Sequence, residues 1–164
     1  AATWVVPLIV GLATRPDRIE AFAPRTFKAR ATLWFLKVTG ACVGFYTFSL
    51  LAVAVAMGWY YLGRDPLPTG ATAFLAAGPL LMSYVVARRL PADRFEMFRG
   101  RLRPHPADPF FLVAFPLAGP LTALGLATFY PLLADTSAAP MAVLVAAILV
   151  ALGEYRRQNA NRQR

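Results

Sequence analysis

The chain has 164 residues, 58% of them apolar, and a mean hydropathy of +0.52. That is one domain's worth of sequence, and it is too apolar for an ordinary soluble protein, in which the apolar share is roughly 45–50%. The net charge of +9 would suggest nucleic acid on a soluble domain, but here it lies between long uncharged stretches, so anionic lipid and membrane topology account for it and no nucleic acid partner is expected.

Residues 1–14 come first, and 1–13 are apolar throughout. As a helix that run covers about 20 Å of a roughly 30 Å hydrocarbon core, so a short first span or an interfacial helix is expected. No basic stretch precedes it, which argues against a signal peptide. Residues 15–38 form the first basic segment, with six Lys and Arg up to Lys37. Thr14, Pro16 and Asp17 suit a helix start, and Pro24 should break that helix. Residues 26–38 are amphipathic. Trp34 and Phe35 mark a boundary, and Lys37 is expected to snorkel back to the headgroups.

Residues 39–62 contain no charged side chain and are long enough to cross a bilayer, with Trp59, Tyr60 and Tyr61 at the outer boundary. A short turn over 63–70 leads to a second span, 71–87, with a helix break expected at Gly78-Pro79. Residues 88–108 are again basic, with six arginines. Pro91 is expected to open a surface helix there. Phe95, Phe98 and Leu102 form its apolar stripe, with Arg94, Arg99, Arg101 and Arg103 around it. This pattern suits contact with anionic lipid or with a partner. The third span, 109–134, carries Pro116, Gly119, Pro120 and Pro131 and should kink, with a break at Gly119-Pro120. A short fourth span, 141–153, precedes a basic tail, 154–164, expected to be mobile. The fold expected is thus an all-α integral membrane protein, a bundle of four or five transmembrane helices with amphipathic helices at the basic surface.

The basic segments alternate with nearly uncharged turns, so the positive-inside rule puts 15–38, 88–108 and the C-terminus in the cytoplasm. The hexapeptide 17–22 (DRIEAF) echoes 93–98 (DRFEMF) at a spacing of 76, which would make two parallel units if it is a duplication. Arginine outnumbers lysine fifteen to two, a codon bias that suggests a GC-rich bacterial source.

The residues offer little chemistry. Cys42 is the only cysteine, which excludes an internal disulfide and a cysteine-rich metal site, and it reads as a small packing residue. His105 is the only histidine, which excludes bis-histidine haem ligation and a multi-histidine metal site within the chain, and it should be solvated between its prolines. No catalytic residue, cofactor or metal is expected. Asp17, Glu20, Asp93 and Glu96 read as first-turn caps beside arginines. The hydroxyls of Thr39, Tyr46, Thr47, Ser49, Ser83, Tyr84, Thr122 and Thr128 should bond to helix backbone or to a neighbouring helix. Gly40 and Gly44 form a GxxxG continued by Ala52 and Ala56, and Gly119, Ala123 and Ala127 form a second small face.

These features point to a non-catalytic membrane subunit or scaffold of a larger bacterial inner-membrane complex, energy-transducing or secretory. Its partners would be other membrane subunits and anionic lipids. The alternatives are a small transporter or channel built on broken helices, and a membrane enzyme that grips a lipid headgroup with its arginines.

Overall fold

The computed structural model describes residues 2–16, 26–63, 67–114 and 138–162. The described backbone is helical with short connections. Four helices are defined: α1 (Ala2–Ala13), α2 (Phe27–Tyr61), α3 (Thr69–Met97) and α4 (Ala138–Arg162). Helical backbone also runs over 108–114. Three helices are long and apolar enough to cross a membrane: Phe27–Tyr61, Thr69–Met97 and the stretch Ala138–Ala160 of α4.

Local chemistry sets where these helices begin and end. Thr26, in extended conformation, caps α2, and its side chain accepts from the Ala29 N–H at 3.2 Å. The helix closes at Leu62, whose N–H donates to the Gly58 carbonyl at 3.1 Å, and Gly63 follows at φ +59°. α3 ends in a Schellman-type turn, in which the Gly100 N–H donates back to the Phe95 carbonyl at 2.9 Å. Arg99 (φ +51°) and Gly100 (φ +82°) both take left-handed conformations there.

The helices are longer than the pieces expected from composition. The segments 26–38 and 39–62 belong to one helix, α2, which stops at Tyr61. Span 71–87 and the first part of the basic segment 88–108 are likewise continuous in α3, and 141–153 continues through the tail to Arg162 in α4. A change from apolar to basic residues changes what side chains the helix presents. It does not interrupt backbone hydrogen bonding, and the helices run on through Thr39, Arg88 and Glu154. At about 1.5 Å per residue, the 35 residues of α2 reach roughly 52 Å, well beyond a hydrocarbon core.

Two prolines behave differently from expectation. α3 runs through both Pro79 and Pro91, so Gly78-Pro79 does not break it and Pro91 does not open a new helix. Pro91 is fully buried, and neighbouring helices commonly hold a proline within an apolar helix that would break alone. Gly78 has a packing role: a side chain there would collide with the ring of Phe48. Phe48 in turn meets Phe74 edge-on, with centroids 5.5 Å apart. Asp93 and Glu96 consequently lie in the last turns of α3 and not in a first turn.

α2 and α3 pack antiparallel through the glycines. A Cβ on Gly40 would approach the Val86 carbonyl to 2.8 Å and the Ala87 Cα to 3.0 Å, and one on Gly44 would collide with the Met82 carbonyl. As the numbering rises along α2 it falls along α3. α1 meets α2 in the same manner, since a Cβ on Gly11 would lie 2.9 Å from the Val38 Cα. Leu36, Ala41, Cys42, Tyr46 and Ala87 fill the interior. α4 packs mainly on α3. Only 11% of its apolar stretch is buried, against 39% for α2.

Span 109–134 is described only at its start, where 109–114 are helical. Gly119, Pro120, Ala123, Thr122, Ala127 and Thr128 lie outside the described residues, as do Asp17, Glu20 and the first hexapeptide of the echo.

Candidate functional site at the basic end of the bundle

The described helices share one basic end. The C-terminus of α1, the first half of α2 and the C-terminal parts of α3 and α4 meet there, and two buried polar clusters form between them.

The first cluster centres on Glu154 of α4. It is 8% exposed, and its Oε1 accepts from the Tyr84 hydroxyl of α3 at 2.9 Å and from the Arg157 guanidinium at 3.2 Å. Arg157 also donates to the Arg15 carbonyl, just past α1, at 3.1 Å. Lys37 of α2 is 7% exposed, and its Nζ donates to the Leu12 carbonyl of α1 at 3.0 Å. The ammonium stands within electrostatic reach of Glu154 and Arg15. Arg88 lies over the Tyr84 ring, 5.7 Å from its centroid. Side chains or carbonyls of all four helices, or of the residues just past them, thus converge on one carboxylate and one ammonium.

This geometry corrects the expectation that Lys37 snorkels outward. The α1 C-terminus presents unpaired carbonyls, and Leu12 offers one at the distance a lysine stem can reach, so the side chain turns inward. The apolar stretches themselves carry no charge, but Lys37 and Glu154 sit at their borders and are buried. Glu154 Oε2, Thr39 Oγ1, Ser83 Oγ and Thr72 Oγ1 are buried and make no hydrogen bond among the described residues. Of the hydroxyls expected to bond helix backbone or a neighbouring helix, Ser49 donates to the Phe45 carbonyl at 2.8 Å and Tyr84 to Glu154 of α4. Thr47 is exposed, and Tyr46 meets Phe45 edge-on with centroids 5.3 Å apart.

The second cluster centres on Asp108, which is 1% exposed. One carboxylate oxygen pairs with the Arg94 guanidinium at 2.6 Å, and the other accepts the His105 backbone N–H at 2.7 Å. His105 is half-buried, and its Nδ1 accepts from the Ala107 N–H at 3.2 Å. Asp108 therefore fastens the loop after α3 back to α3 itself. Arg94, read from the sequence with the lipid-facing arginines, is turned to this internal pair, while Arg99, Arg101 and Arg103 are exposed. Phe95, Phe98 and Leu102 are half-buried.

The small residues divide in the same way. Gly40, Gly44 and Ala52 are buried, and the two glycines serve the α2–α3 contact within the chain; Ala56 is half-buried. Among the described residues no three His, Cys, Asp or Glu come together as a metal site would require.

Sequence reasoning passed over Glu154 and Asp108. Asp108 had a legible signal, since Asp followed by Pro109 is a helix-start signature. Glu154 is the first charge after an apolar run and the only acid in the basic tail. Its burial depends on Tyr84, seventy residues away, which no local pattern shows. No protein-family profile, curated protein or solved structure matches this chain.

Proposed function

We propose that the chain is a multi-pass, non-catalytic subunit or scaffold of a larger complex in a bacterial inner membrane, with its basic end and C-terminus in the cytoplasm. One observation carries this reading. Glu154, Arg157 and Lys37 of the basic end fasten helices to each other, while only 11% of the apolar stretch of α4 is buried. A helix fastened so firmly at one end and so little covered along its length suits a place beside lipid and further subunits. The alternation of charge supports the orientation.

The mass of the complex extracted in mild detergent from native membranes tests the reading. A species far heavier than the 17.9 kDa chain with its micelle, containing other membrane proteins, is expected. A chain that always elutes alone refutes the subunit assignment. Orientation is tested with a single cysteine at 101 in a Cys42→Ser background, which should react with an impermeant maleimide only after the cells are opened.

A second reading, a small transporter or channel, is favoured by the buried Lys37 and Glu154, because ionisable groups within apolar helices commonly mark transport paths. The unbroken course of α3 at Pro79 removes the support that a broken helix there would give. Flux into liposomes that Glu154→Gln abolishes would favour this reading over the first.

A further inference from the structure

We propose that the turn carrying Arg99, Arg101 and Arg103 is a preformed seat for the phosphate of an anionic lipid headgroup, shaped by the Arg94–Asp108 pair; the inference rests on the membrane reading above.

Three observations carry it. First, the turn is fixed at both ends. The Gly100 N–H donates to the Phe95 carbonyl at 2.9 Å, and the Arg101 N–H donates to the Phe98 carbonyl at 3.2 Å. At the far side Asp108 grips Arg94 at 2.6 Å and the His105 N–H at 2.7 Å. A long side chain on an ordered backbone loses less freedom on binding than one on a loose loop, so the arginines are pre-organised.

Second, the charge is one-signed and available. Arg99, Arg101 and Arg103 are exposed and no acidic residue lies between them; Glu96, one turn upstream and exposed, has an interaction of its own, and Asp108 downstream is occupied with Arg94 and His105. Guanidinium groups match phosphate oxygens in pairs.

Third, exposed apolar side chains flank the charge along the chain. Met97 is 58% exposed and Phe110 68%. A soluble polyanion gains nothing from bare methionine and phenylalanine beside its phosphates. A lipid presents phosphate at one depth and acyl chain at the next, and so fits both.

Trp34 supplies the test. It is exposed on α2, and its neighbour Phe35 lines a cleft with Pro104 and Pro109 of the loop. Full-length protein carrying Trp4→Phe and Trp59→Phe, so that Trp34 alone emits, is placed in phosphatidylcholine bilayers doped with brominated phosphatidylglycerol or brominated phosphatidylcholine. Quenching should be stronger with the anionic lipid, and inorganic phosphate should leave it unchanged. The preference should fall roughly fivefold per arginine removed and vanish in Arg99→Gln/Arg101→Gln/Arg103→Gln.

Asp108→Asn separates a shaped seat from bulk charge. It makes the protein one charge more positive, so simple attraction predicts a stronger preference for phosphatidylglycerol. A seat that depends on the Arg94–Asp108 pair predicts a weaker one. Equal quenching by the two lipids, an unchanged preference in the triple variant, or a gain in Asp108→Asn overturns the proposal. Displacement of the anionic lipid by inorganic phosphate would make free phosphate the ligand and also overturn it. Loss of heparin binding in the triple variant, with lipid preference intact, assigns the arginines to a soluble polyanion and overturns it too. Failure of either brominated lipid to quench Trp34 instead removes the membrane reading on which the inference stands.

Discussion

Glu154→Gln is the most informative perturbation of the bundle, because one carboxylate joins α4 to α3 and holds Arg157, which reaches the Arg15 carbonyl just past α1. In the wild type Oε1 holds the Tyr84 hydroxyl at 2.9 Å and Arg157 at 3.2 Å, and Lys37 stands within electrostatic reach. A hydrogen bond to a charged group contributes about 1.5–3 kcal/mol, and breaking a buried ion pair by removing one partner costs about 3–5 kcal/mol. Two features reduce the loss here. Arg157 is 30% exposed at its side chain and can turn to water. Glu154 Oε2 is buried with no hydrogen bond among the described residues, so the native carboxylate already bears part of its own desolvation penalty. Glutamine also keeps an oxygen for Tyr84. The net destabilisation expected is about 1–3 kcal/mol, and Glu154→Ala should be worse. The assay is thermal unfolding in mild detergent of Glu154→Gln, and of Glu154→Ala, Tyr84→Phe and their double variant, with Gly58→Ala as a remote partner for Glu154→Ala. Coupling between Glu154 and Tyr84 should be about 1–2 kcal/mol, and between Glu154 and Gly58 within about 0.5 kcal/mol of zero. Additivity of Glu154→Ala and Tyr84→Phe would refute the claim that this contact fastens α4 to α3.

Three further outcomes follow from the packing. Gly44→Ala drives a methyl group into the Met82 carbonyl and should lower stability by about 1–3 kcal/mol, whereas Gly58→Ala meets nothing within 4 Å and should be neutral or raise stability by up to about 1 kcal/mol; thermal midpoints in detergent compare the two. Gly11→Val should push α1 off α2, because even a Cβ there stands 2.9 Å from the Val38 Cα; a disulfide engineered between α1 and α2 should then form more slowly than in the parent. Cys42 is 1% exposed and should resist maleimide in the folded protein and react at the unfolding rate, which mass spectrometry during a heating series measures.

The amino-acid sequence alone determined that this chain is helical, that much of it is apolar enough for lipid, and which of its segments are basic. Those properties are sums over neighbouring residues, and a local pattern suffices to read them. The GxxxG at Gly40 and Gly44 was legible as a packing face for the same reason. What it packs against was not, and tertiary structure assigns it to α3 of the same chain. Helix ends were legible where a cap such as Thr26 stands. They were not legible at Pro79 and Pro91, which α3 runs through in spite of a local penalty of about 3 kcal/mol. Only the assembled bundle decided the direction of Lys37, the burial of Glu154 and the transfer of Arg94 from the surface to Asp108. A buried charged side chain goes where an opposite charge, a hydroxyl or a free carbonyl lies, and the carbonyl that holds Lys37 and the hydroxyl that holds Glu154 are 25 and 70 residues away.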